Sequence, residues 1–142
     1  MHQQQQQKMS LEQLQAFFQE HFPQGHQYGY PEALGAGWAR LRLQVDDDHL
    51  RPGGTVSGPS MMGLADVALY AALLSRIGPV ALAVTTSLNI NFLRKPKAGV
   101  DLLAEAKMLK VGKRLAVGEV LLYSEGDDEP VAHATLTYSI PA

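Results

Sequence analysis

Leu11, Leu14, Phe17 and Phe18 recur at the spacing of one helix face, which predicts an amphipathic helix near the start of the chain. Ser10 precedes it and Gln13 follows three residues on, the signature of a capping box, and Pro23 stops it. A stretch rich in Gly, Tyr and Pro then reads as loop as far as Gly37. From Ala39 to Val45 the odd positions are apolar and the even ones are Arg40, Arg42 and Gln44, a half-buried strand. Asp46 to His49 reads as a solvated turn. From about Pro59 to about Ser75 almost every position is apolar, so this helix is buried all round. Four strand-like segments follow, over 80–93, 100–110, 114–123 and 131–140. In the first, Val80, Leu82, Val84, Leu88, Ile90 and Phe92 share one face, and Thr85, Ser87, Asn89 and Asn91 the other. The turns Lys95–Gly99 and Val111–Lys113 are short, which predicts antiparallel neighbours. The order of elements implies an α+β fold in which one antiparallel sheet wraps a central buried helix.

With 142 residues the chain suits one domain, expected over 10–142, with residues 1–9 as a disordered tail. A net charge of −2 argues against a nucleic-acid partner. The start MHQQQQQKM lacks the apolar core of a signal peptide, and no run of apolar residues approaches a membrane span. The chain has no cysteine, which excludes disulfides, thiolate nucleophiles and thiolate metal sites and fits a cytoplasmic location. The histidines have no ligand spacing to one another, so no metal site is expected.

Within the buried helix stands one acid, Asp66. Left unpaired there, a carboxylate costs on the order of several kcal/mol. It is therefore either a structural acid, bonded to a neighbouring backbone group or to Tyr70 four residues on, or a reactive one. The small residues leading into the helix favour the second. Gly58 stands just before it, where a backbone amide faces outward at the positive end of the helix dipole and suits an oxyanion. Gly58 and Asp66 are separated by about 12 Å of helix, at about 1.5 Å per residue. One carbonyl cannot touch both, so if both act on one substrate, a second copy of the chain supplies one of them. Basic residues gather in two turns, Arg94, Lys95 and Lys97 in one, Lys110, Lys113 and Arg114 in the other. They read either as solvated strand ends or, brought together, as a site for a ligand carrying several phosphates.

The pattern resembles the hotdog-fold thioesterases of the 4-hydroxybenzoyl-CoA thioesterase superfamily, in particular the phenylacetate-degradation (PaaI-like) branch. Members carry Asn-x-x-Gly-x-x-His-Gly-Gly followed seven residues later by the acid of Leu-x-Asp. In this chain the same register holds Arg51, Gly54, Ser57, Gly58 and Pro59, then Leu64-Ala65-Asp66. The likeness runs on through TTSLNINFLRKP, GVDLLAEAKMLKVGKRLAVGEV and VAHATLTYSI, covering roughly residues 38–140. It implies a hotdog fold and an acyl-CoA thioesterase that releases free acid and CoA. Asp66 matches the nucleophile or general base, Gly58 the amide that polarises the thioester carbonyl, and Thr85 the hydroxyl that orients water. Arg51 and Ser57 replace the family's Asn and His, and Ser57 keeps a hydrogen-bond donor. The acyl group is expected between chains near Met61 and Met62, and the CoA phosphates at Arg94, Lys95, Lys113 and Arg114. The likeness further implies a homodimer, assembled as a dimer of dimers, with no cofactor beyond the CoA of the substrate. Two alternatives stay open: a non-catalytic acyl-CoA binder and a hotdog enoyl-CoA hydratase.

Overall fold

The computed structural model of the chain describes residues 6–142. Helix α1 (Leu11–His21) starts at a complete capping box: Ser10 Oγ accepts the Gln13 N–H, and the Gln13 side chain accepts the Ser10 N–H. Its buried face is Leu14, Phe17 and Phe18. The expected tail is partly docked. Met9 is buried in the core and the Lys8 N–H donates to Ser75 O at 2.6 Å, so burial of one apolar side chain holds this part of 1–9 against the fold. Residues 1–5 lie outside the described residues.

Beyond α1 come a 3-10 turn (Pro23–Gln27), β1 (Tyr30–Gly35), β2 (Trp38–Leu43), a second 3-10 turn (Asp47–His49), α2 (Gly58–Ile77) and strands β3 (Val84–Phe92), β4 (Leu102–Val111), β5 (Leu115–Ser124) and β6 (Pro130–Ser139). Strand β1 falls where a loop was expected. It is an edge strand, where Pro31 is tolerated because an edge position need not donate to a ladder. Glu32 secures it by accepting from Arg40 Nε at 3.0 Å and Arg42 Nε at 2.9 Å, pairings that lie across strands and leave no local sequence pattern.

All six strands form one antiparallel sheet in the order β1-β2-β4-β5-β6-β3, wrapped around α2 as expected for the hotdog arrangement. The short link after β3 does not make a hairpin with β4. Strands β5 and β6 intervene, and the link crosses the end of the sheet. Helix α2 has the length and apolar composition of a membrane span, contrary to the sequence reading, but most of it is buried in the protein. Leu64, Leu69, Leu73 and Leu74 are wholly buried, each worth roughly 1.5–3 kcal/mol relative to exposure. Ser75, also buried, donates to Ala72 O and accepts the Gly37 N–H, which ties the end of α2 to the β1–β2 turn.

The alternation assigned to 80–93 breaks at one point. Between Thr85 and Leu88 the chain takes three steps while β6 takes two, from Tyr138 to Leu136. This β-bulge inverts the phase of the strand. Leu88 and Ile90 pack against the core as expected, but Thr85 also points inward, whereas Leu82 and Val84 are exposed.

Candidate active site

Ser57 caps α2 from an extended backbone: its Oγ accepts the Ser60 N–H at 3.2 Å and donates to Ser60 Oγ at 3.0 Å. Gly58 is thus the first helical residue, and its N–H has no acceptor within the helix. A side chain added at Gly58 would stand 3.4 Å from Phe92 Cζ, which places the glycine beside the end of β3. Arg51 is exposed at a tight turn closed by its N–H to Thr55 O and by Gly54 N–H to Arg51 O. Gly53 and Gly54 take φ of 100° and 82° there, a backbone that favours glycine. Met61 is buried in the core and Met62 is half-buried.

Asp66 lies two turns further along α2, half-buried between buried Ala65 and Val67. Its partner is not Tyr70, whose hydroxyl donates to Ala81 O at 3.2 Å. Two hydroxyls from opposite strands converge on Asp66 Oδ1 instead. Thr85 Oγ1 donates at 2.5 Å, and the Tyr138 hydroxyl lies at 2.7 Å, with Asp66 O 3.0 Å away as its second acceptor. Burial, reinforced by the adjacent Asp66 charge, pushes the Tyr138 phenol far above its ordinary range, so it remains a donor. Among the described residues nothing donates to Oδ2. No buried side-chain oxygen among them lacks a partner, so Oδ2 is open to solvent.

The space it meets is a cavity of about 250 Å³ whose lining includes Asp66, Thr85, Tyr138, Tyr70, Phe22 and His21, together with small Ala81 and Ala83. Of the residues singled out from sequence, Asp66 and Thr85 line this cavity; Arg51, Ser57, Gly58, Met61 and Met62 do not. Tyr138 escaped the sequence reading. Its signal was a hydroxyl in phase with the apolar positions Ala134 and Leu136 of β6, because an inward phenol needs a polar partner.

The two basic turns do not meet within one chain. Arg94 Nε donates to Pro130 O, and Arg94 and Lys97 pair with Glu129 and Asp127, beside the end of β5. Lys113 and Arg114 stand at the start of β5, where Arg114 O accepts the Ile140 N–H. A ten-residue strand of roughly 30 Å separates the two groups. Lys95 is exposed, and it is without an ion pair among the described residues.

A family model described as "Thioesterase superfamily" matches residues 53–131, the segment from the Gly53 turn through α2 to the start of β6. The chain belongs to the thioesterase superfamily. Its hydrolytic chemistry is therefore cleavage of a thioester, and Asp66 is the carboxylate on the central helix of this thioesterase. A solved structure described as a "putative thioesterase" from Silicibacter sp. TM1040 is 50% identical, with a TM-score of 0.90 over 99% of this chain and 97% of that one. A mutant of the phenylacetic acid degradation protein PaaI from Thermus thermophilus is 32% identical, with a TM-score of 0.72 over 84% and 99% of the two chains. The "Putative esterase PA0474" of Pseudomonas aeruginosa is 33% identical over 102 residues, covering 71% of this chain and 74% of that relative. These likenesses agree with the hotdog architecture and with the PaaI-like resemblance.

Proposed function

We propose that this thioesterase hydrolyses acyl-CoA to a free acid and CoA in a site completed by two copies of the chain. The observation that carries the reading is the Asp66 carboxylate, hydrogen-bonded at one oxygen and open to a largely apolar cavity at the other. In the reaction Asp66 acts as general base or nucleophile. As base it takes a proton from water while the oxygen of that water bonds to the thioester carbon. The charge that develops on the carbonyl oxygen is met by the Gly58 N–H. Collapse breaks the C–S bond and expels CoA as thiolate, which takes up the proton that Asp66 removed from the water. Thr85, with its proton on Asp66, keeps lone pairs free to accept from that water.

The case for two chains rests on strand β3. It is an open edge whose exposed Val84 and Phe92, with Leu82 and Leu93 flanking the strand, invite a partner strand. Asp66 adjoins its start through Thr85, and Gly58 adjoins its end through Phe92. Antiparallel pairing of two β3 edges about a two-fold axis near the strand centre sets the start of one against the end of the other. Gly58 of one chain then approaches Asp66 of the second copy. The same operation brings Arg94 and Lys95 of one chain towards Lys113 and Arg114 of the other, reuniting the basic turns as a site for the CoA phosphates.

A panel of acyl-CoAs assayed for released thiol tests the reading, and the cysteine-free chain contributes no thiol background. Turnover of one or more esters with release of CoA is the expected result. Binding without thiol release, or hydration of an enoyl-CoA in place of hydrolysis, overturns it.

A further inference from the structure

We infer that Tyr138 is a positioning residue for the reaction: with Thr85 it clamps one oxygen of Asp66 and so commits the other to the substrate. The inference rests on the reading of Asp66 as the reacting carboxylate. The two oxygens of a carboxylate are chemically equivalent until the protein distinguishes them. Here Thr85 on β3 and Tyr138 on β6 are directly opposed across the sheet, and both reach Oδ1. Rotating the carboxylate to exchange its oxygens breaks both hydrogen bonds, so its plane is held and Oδ2 is aimed into the cavity.

Each half of the clamp has its own support in the fold. Thr85 faces inward because the bulge before Ser87 inverts the strand. The Tyr138 ring is stacked on Tyr70 with centroids 6.0 Å apart and planes 14° from parallel, which restricts its swing. Tyr138 lines the cavity but is only 4% exposed, and its hydroxyl is directed at Asp66, through which it acts on the reaction. Burial keeps the phenol protonated and so donating, as the alcohol of Thr85 always is, so the clamp has two permanent donors.

Tyr138→Phe retains the ring and removes only the hydroxyl. With the acyl-CoA that the wild-type protein turns over fastest, kcat should fall by about 10-fold or more, the scale of one hydrogen bond to a charged group. KM should stay within about twofold, because the phenol hydroxyl is bonded to Asp66 and Phe keeps the ring that lines the cavity. Thermal unfolding measured alongside reports any loss of fold. Thr85→Val leaves the carboxylate held by Tyr138 alone, and the double variant frees it to rotate. The combined loss in kcat should therefore exceed the product of the two single losses. A kcat within about twofold of wild type in Tyr138→Phe overturns the assignment. So does a loss carried by KM alone, or a double variant no worse than the product. Asp66→Asn run in parallel separates the two readings. If it retains turnover, the reading of Asp66 itself fails; if it is inactive while Tyr138→Phe keeps its kcat, only the clamp fails.

Discussion

Gly58 and Asp66 occupy the first and ninth positions of a single helix, with about 12 Å of axial rise between the free amide and the carboxylate. Side-chain reach cannot close that gap onto one carbonyl. If the missing half comes from a second chain, two inactive variants should restore each other. One carries Asp66→Asn and the other Gly58→Val, whose side chain crowds the carbonyl site. In a two-fold mixed dimer one site holds both defects and the other holds neither. Random exchange makes about half of all dimers mixed, so about a quarter of wild-type activity should return. Mass spectrometry of tagged chains establishes that exchange has occurred, and mixed dimers without recovered activity would rule out the shared site.

Asp66→Asn on its own preserves the shape of the side chain and its place between Ala65 and Val67. Turnover should drop about 10²–10⁴-fold if the carboxylate acts as base, while the unfolding temperature changes little. Steady-state thiol release and a thermal melt on the same preparation check this.

Neutralising Arg94, Lys95, Lys113 and Arg114 should raise KM for CoA esters and leave kcat nearly unchanged. All four are exposed, so they act through a field that salt screens, and the dependence of KM on ionic strength should flatten in the variant. Because the two turns lie at opposite ends of β5 in one chain, the effect also requires the paired β3 edges. An unchanged KM at low salt excludes these turns as the phosphate site.

Gly118→Ala tests the packing of the helix on the sheet. A methyl group there would overlap Leu69 Cδ1 and stand 2.7 Å from Lys107 O, so neither α2 nor the neighbouring strand has room for it. Overpacking of this kind costs about 1–3 kcal/mol, and a denaturant melt should show it as a lower midpoint with an unaltered slope. A midpoint equal to wild type would mean that α2 sits more loosely on the sheet than these contacts require.

Much of the fold was legible because its signals are local. The capping box at Ser10, the unbroken apolar run of α2, and the alternation of Leu102, Ala104, Ala106 and Met108 each depend on residues within a turn or a strand of one another. The isolated acid Asp66 was legible for the same reason, since its apolar neighbours in the chain are its neighbours on the helix. Strand β1 was not, because its composition is that of a loop and its stability comes from pairing with β2 and from Arg40 and Arg42 across the sheet. The adjacency of β3 to β6 was equally hidden, since a short link suggests a hairpin and only packing around α2 sends it across the sheet end.

By itself the sequence determined that a long apolar helix carries one carboxylate and that a glycine opens that helix about 12 Å away, at about 1.5 Å per residue. Only tertiary structure decided which groups hold that carboxylate. Periodicity set Thr85 on the outer face, and one extra residue in β3 turned it inward to meet Tyr138 from the opposite strand. A bulge changes no residue type and leaves no period of its own. It exists because the register of β6 against β3 is settled by the whole sheet closing around α2, and that closure brings residues 66, 85 and 138 to a single oxygen atom.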